Sequence, residues 1–425
     1  MIYASAGPPR FLQFCFTASL LILLQSASSR AGEIEAHAEN RATRSIDVAM
    51  ELNNRGSAFE DSGKFRESEA VLRESYSTLK QANLLNGPLA GSVLSNLGLS
   101  IQKQGRLGEA AALYESACEI LRRSPGDRSL EYARALSNWA LVNYQTARYL
   151  DSLQQNRQAL EIENSLPDGQ ALSEKAKTLN NLGATLLQLD RFQEADSVFR
   201  QSLSVRKAGG LDHGPKFAET LNNLAVLERR MGRLAQARQD SQQARNILTS
   251  EGKADDPVMA EVLNTLASLQ AKQKRHKQAQ ALYEEALRID TAYYGQGHPR
   301  IASDLTNIAA QVFYQKRPLD SAALYEKAER IQEKFLAQGD LAAAATLHNL
   351  GVLYADIKQF DQASAAYDRA IHIMENASTH DDAALSLWLH EYAIVLKHQQ
   401  RFGEAEQAEV QALGIQVRSV IKTKT

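Results

Sequence analysis

A small residue recurs along the chain at steps of 42 residues, with one step of 43: Gly56, Gly98, Ala140, Gly183, Ala225, Ala267, Ala309, Gly351 and Ala393. Four residues before each stands a leucine, from Leu52 to Leu389, and such an i, i+4 pair marks one face of a helix. Twelve residues after each comes a second small residue, from Ser68 to Ala405. An aromatic ring often follows four later, as at Tyr114, Phe199, Tyr283, Tyr325 and Tyr367. Each period therefore holds two amphipathic helices. The small residues let the paired backbones approach, and the large ones fill the space beside them. A period this regular overrides the several domains that a length of 425 residues would otherwise suggest.

Punctuation keeps the same phase. Asn86-Gly87-Pro88, Ser124-Pro125-Gly126, Gly214-Pro215, Asp256-Pro257 and His298-Pro299 fall where the second helix of a unit must end. Eight residues after each small position stands a base, from Lys64 to Arg401, with Gln359 the exception. A cation there is expected to meet the exposed carbonyls that end the first helix, at about 0.3 to 1 kcal/mol each. Glu67, Glu109, Asp151, Glu194, Asp320 and Glu404 stand three residues further on, where the dipole of the second helix favours acids.

This pattern resembles the tetratricopeptide repeat, and the spacing is similar to that of kinesin light chain repeats. The match is best over Leu179 to Leu203, with Leu182, Gly183, Ala195 and Phe199 at signature positions, and nine units run from Ala49 to the carboxyl terminus. The resemblance implies an all-α fold, a right-handed α-solenoid superhelix of about nine helix-turn-helix repeats whose first helices line a concave groove. It departs from the family pattern in lacking the closing proline of the shorter repeat, and Pro318 is expected to interrupt the turn of the seventh unit. Motor-cargo adaptation is not carried over, because residues 32–48 are too short for the heptad segment of kinesin light chains.

The amino terminus reads as an address. Arg10 precedes the apolar stretch Phe11 to Leu24, and small residues follow at several cleavage positions, so residues 1–31 are expected to be a signal peptide and 32–48 a leader before the array at 49–425. The stretch is short of the roughly 20 residues that cross a bilayer, which favours cleavage over a permanent anchor. On this reading the chain is exported, periplasmic or extracellular, with no membrane span after cleavage. With 48 Lys and Arg against 50 Asp and Glu, no nucleic-acid surface is expected. Cys15 falls in the removed segment, which leaves Cys118 without a partner; sister units carry Leu160, Leu203 and Ile371 at its position, so it reads as a small buried hydrophobe.

If the first helices line the groove, the residue two before each small position projects into it: Asn54, Asn96, Asn138, Asn181, Asn223, Thr265, Asn307, Asn349 and Glu391. A carboxamide donates and accepts, so a row of them can hold the backbone of an extended peptide without reading its side chains. The same row can equally serve to bond adjacent first helices, and the two roles are compatible. Arg134, Lys177, Arg229, Arg230 and Lys272 lie on first helices of the middle units and could make a basic section for an acidic peptide. Glu219 and Glu261, at comparable offsets, leave a mixed solvated face as the alternative. Glu391 and Glu409 in the last unit suggest an end cap with a polar outer face.

No catalytic constellation emerges. His390-Glu391 opens a zinc-protease pattern, but Ile394 stands where the second histidine would be, and Gly63-Lys64 and Gly252-Lys253 lack the rest of a phosphate loop. His298-Pro299 reads as a helix start. The sequence thus points to a non-enzymatic, cofactor-free scaffold that binds a protein or peptide in its groove. The alternatives are a self-assembling structural protein and a membrane-tethered assembly factor.

Overall fold

A computed structural model describes residues 39–167, 169–334, 341–377 and 381–422. The expected signal peptide and the first part of the leader lie outside the described residues. Among those that are described, the secondary structure is helical, with no strand. The helices pair into nine hairpins: α1 (39–61) with α2 (Phe65–Gln81), α3 (Pro88–Lys103) with α4 (Leu107–Leu121), and α5 (Leu130–Gln145) with α6 (Tyr149–Ser165). Then follow α7 (Leu172–Gln188) with α8 (Phe192–Ala208), α9 (Gly214–Arg230) with α10 (Leu234–Ser250), and α11 (Pro257–Lys272) with α12 (His276–Tyr294). The last three are α13 (Pro299–Tyr314) with α14 (Pro318–Gln332), α15 (Leu341–Asp356) with α16 (Phe360–Glu375), and α17 (Asp382–His398) with α18 (Phe402–Lys422). The architecture is the all-helical solenoid that the period implies.

The 42-residue period is a packing rule. A β-carbon placed on Gly56 would lie 2.6 Å from Leu72, on Gly98 3.1 Å from Tyr114, on Gly183 2.6 Å from Phe199 and on Gly351 3.0 Å from Tyr367. In these four hairpins the missing side chain on the first helix makes room for a large one on the second, sixteen positions later. Tyr114 and Phe199 are fully buried as a result. Between hairpins, apolar side chains of neighbouring units such as Phe217, Leu221, Leu248, Met259 and Leu263 pack into a shared cluster.

The turn inside each hairpin follows one design, in which the recurrent base plays a different part from the one expected of it. Seven residues after each small position the chain enters the left-handed region, at Gly63, Gly105, Ala147, Asp190, Gly232, Lys274, Lys316, Lys358 and Gln400. The next residue is the recurrent base, and its main-chain N–H reaches back to close the first helix: Arg148 to Asn143 O at 2.7 Å, Arg233 to Glu228 O at 2.8 Å, Lys64 to Phe59 O at 2.8 Å. The expected contact between the cation and those carbonyls does not form. In units two, four, seven and nine the side chain turns forward to the acid three residues on, as in Arg191–Glu194 and Arg317–Asp320, because the backbone has already satisfied the carbonyl. Nor does Pro318 interrupt its turn. It is the first residue of α14, where a proline has no hydrogen bond to lose.

The end cap is also corrected. Glu391 turns inward to His348, 2.6 Å away, and Glu409 to Lys397 at 2.6 Å, while the outer side of α18 exposes Val410, Leu413 and Val417.

The superhelix folds back upon itself. The edge of the Phe65 ring, at the start of α2, meets Tyr293 near the end of α12, with centroids 5.6 Å apart. The turn at Gly105 presses on the start of α13, where a β-carbon would lie 3.1 Å from Pro299. Units one and two thus touch the junction of units six and seven and close the groove into a chamber.

Candidate functional site

The chamber has a volume of about 1220 Å³ and draws its lining from Glu60 in the first unit to Asn376 at the end of the eighth. First helices and the turns that follow them supply most of the wall. Its aromatic rim is Tyr293, Tyr294 and His298, with Tyr294 stacked on His298 at 4.5 Å and across Tyr293 at 4.7 Å. His298 begins α13 as a cap, its Nδ1 accepting from the N–H of Arg300 at 3.2 Å, so it is the helix start that the sequence indicated.

Charge is concentrated here. Lys103 from unit two, Lys177 from unit four and Lys216 from unit five converge on the chamber, with Arg300 from unit seven. Lys216 keeps 67 % of its side-chain exposure, so the chamber is wet, yet protein surrounds it on most sides. The lysines register this. Enclosure, and then the charge of Lys216, bring Lys177 down to about 8 and also lower Lys103. Enclosure lifts the Glu60 carboxyl to about 7 even though Lys103 pulls the other way. Acids offset the positive charge: Glu60, Asp61 and Asp256 also line the chamber, and Glu219 and Glu261 stand beside Lys216 and Arg300. Enclosure works against the Glu219 carboxylate, but Lys216, 3.1 Å away, outweighs it and holds its pKa below the usual value. Glu261 is 3.1 Å from Arg300 and is raised by enclosure.

The residues singled out from the sequence are distributed as follows. Asn96 donates to Asn53 Oδ1 at 3.0 Å, Asn181 to Ser137 Oγ at 3.3 Å and Asn223 to Asn180 Oδ1 at 3.0 Å, each binding one first helix to the preceding one. Asn138 lines the chamber, contacts Ser95 Oγ at 3.5 Å and accepts from Lys177 Nζ at 2.6 Å. Asn54 is exposed; Asn307 and Asn349 are half-buried. Four of the amides therefore take part in bonds between adjacent first helices.

Of the basic residues, Lys177 alone lines the chamber. Arg134 pairs with Glu174 at 2.6 Å, and Lys272 is exposed. Arg230 donates to Leu187 O at 2.8 Å and Asp190 Oδ1 at 2.6 Å, which secures the end of α7. Lys103, Lys216 and Arg300 were missed. Lys103 shares the register of Arg230 and Lys272, and only the closure of the superhelix separates its surroundings from theirs. Cys118 is a buried free thiol, pushed up to about 12 chiefly by burial. No helix among the described residues is long and apolar enough to cross a membrane.

Family models of the tetratricopeptide repeat match residues 89–165, 176–209, 216–292, 258–334 and 342–416. A comparison with curated proteins finds no match. Among solved structures, a Rap protein complexed with competence and sporulation factor aligns with a TM-score of 0.54 at 14% identity, over 77% of this chain and 98% of that one. BtubC (BKLC) from P. vanneervenii aligns with a TM-score of 0.33 at 20% identity, over 65% and 91%. Kinesin light chain repeats from Podospora anserina align with a TM-score of 0.40 at 14% identity, over 48% and 96%.

Proposed function

We propose, from the premise that this chain belongs to the tetratricopeptide repeat family, that it is an exported, non-enzymatic scaffold that takes an extended, acidic segment of a partner into its closed groove. The family and the all-helical solenoid support protein–protein interaction as the general role. The acidic preference rests on one observation, the convergence of Lys103, Lys177 and Lys216 on a single enclosed space. Lysines held together and partly dehydrated repel one another, and an anion placed among them relieves that repulsion. Asn138 and the aromatic rim supply amide and ring contacts along the same path. The Rap protein whose fold resembles this one was crystallised with competence and sporulation factor, which is compatible with a ligand held by a solenoid of this kind. Export rests on the apolar stretch Phe11 to Leu24 and its small-residue flank.

The test is a random peptide display selection on the full chain, run in parallel on a Lys103→Ala/Lys177→Ala variant. Acid-rich sequences selected by the first and not the second are expected. Selection of the same sequences by both, or of none, overturns the reading.

A further inference from the structure

In units six, seven and eight the turns inside the hairpins lie at the opposite end of the helices from the chamber wall, to which these units give Tyr293 to Arg300, Leu341 and Asn376. The first two turns stand side by side: His276 stacks on Tyr314 with centroids 4.9 Å apart, and Gln315 donates to Gln280 at 2.7 Å. The left-handed residue of all three is a lysine, Lys274, Lys316 and Lys358, although each holds a φ of +58°, +63° or +60° that glycine would hold without strain. Unit six adds Lys272, Arg275 and Lys277, and Gln278 stands where unit four has Glu194 and unit seven Asp320. Between Glu261 and Glu284 the sequence has no acid. All six cations are exposed, and among the described residues none forms an ion pair. On the same edge, Asp320 and Glu404 are held by Arg317 and Arg401, which leaves Asp356 and Asp361 as counter-charges. Three apolar side chains project beside the cations: Tyr314, Leu319 and Phe402, 59%, 73% and 64% exposed.

We propose that this edge docks on the surface of an anionic lipid bilayer, with the lysines among the headgroups and Leu319 and Tyr314 between them. Charge complementarity calls for a polyanion, and two features favour a bilayer over an acidic protein or a nucleic acid. Five of the six cations are lysines without fixed partners, point charges that suit many mobile headgroups better than the planar, bidentate contacts that arginine makes. The exposed leucine and ring beside them gain by leaving water at the boundary of headgroups and acyl chains. Adjacent hairpins offer both to an extended surface at once, and the chamber, at the other end of the helices, stays free for its own partner.

Flotation of the full chain with vesicles tests this, comparing phosphatidylcholine and phosphatidylglycerol in equal parts with phosphatidylcholine alone. The neutral vesicles measure whatever the apolar stretch Phe11 to Leu24 contributes, so the anionic excess is the quantity read. An excess of about tenfold in affinity is expected, falling with added salt. Lys272→Glu/Lys274→Glu/Lys277→Glu is expected to abolish it and Leu319→Ser to lower it about threefold, both with unchanged melting because these side chains are exposed. Equal binding to the two vesicles overturns the proposal. An excess that the triple variant keeps overturns it by placing the contact elsewhere, and one indifferent to Leu319→Ser overturns the seating of Leu319 in the bilayer. If polyglutamate beads hold the chain through the same lysines and anionic vesicles do not, the bilayer gives way to an acidic protein as the partner.

Discussion

The ring of Phe199 packs so closely over Gly183 that a single added methyl carbon on that glycine would sit 2.6 Å from it. The pair explains why a glycine stands here: it leaves the space into which α8 inserts Phe199. Gly183→Ala is expected to destabilise the chain by about 1 to 3 kcal/mol, the usual cost of overpacking a filled core. Chemical denaturation checks it, and an unchanged midpoint would mean the hairpin can open without cost.

Much of the fold was legible because it is repeated. One Leu-to-Gly pair such as Leu179 and Gly183 says little, but nine in phase specify hairpin, stack and groove. What the repeat could not show was anything joining distant units. Phe65 meets Tyr293 only because the superhelix completes a turn, so the closing of the groove and the grouping of Lys103 with Lys177 and Lys216 leave no periodic trace. The turn design was hidden differently. Of the nine left-handed positions, Gly63, Gly105 and Gly232 are glycine, and the other six carry side chains that mask the signal.

Those six side chains carry a cost. Ala147 holds a φ of +59°, which an L-residue adopts at roughly 1 kcal/mol of strain that glycine avoids. Ala147→Gly is expected to raise stability by about 0.5 to 1 kcal/mol despite the greater freedom of glycine in the unfolded chain. A lowered melting temperature would contradict this reading of the turn.

The amide row carries a separate expectation. Asn181 and Asn223 tie α7 to α5 and α9 to α7, so replacing both by alanine is expected to cost about 1 to 3 kcal/mol, two modest hydrogen bonds with partners left behind. Thermal unfolding measures it. No loss at all would free these amides for a role in binding alone.

Glu228 gives stability a pH dependence of known sign. Both its carboxylate oxygens are buried without a hydrogen bond, Arg200 is 3.7 Å away, and burial above all lifts its pKa from 4.5 to about 7. The folded state therefore holds a proton that the unfolded state has released between these values, and stability falls as pH rises through that window. Glu228→Gln is expected to stabilise the chain by about 1 to 3 kcal/mol above pH 7 and by less near pH 5. Equal effects at both pH values would mean that the carboxyl is ionised throughout.

Binding in the chamber is expected to weaken from about pH 6 to about pH 9, because Glu60 gains its charge near 7 and Lys177 loses its own near 8, both unfavourable to an anion. Added salt should weaken it further, since the chamber is open to water. An affinity flat in both variables would remove charge from the account.

The most direct measurement is calorimetric titration of an acid-rich peptide, obtained from the display selection, into the wild-type chain and into Lys103→Ala/Lys177→Ala/Lys216→Ala. The expected result is one site per chain with affinity reduced at least tenfold in the triple variant while its melting stays within a few degrees of wild type. Equal affinity for both proteins would contradict the assignment of the closed groove as the binding site.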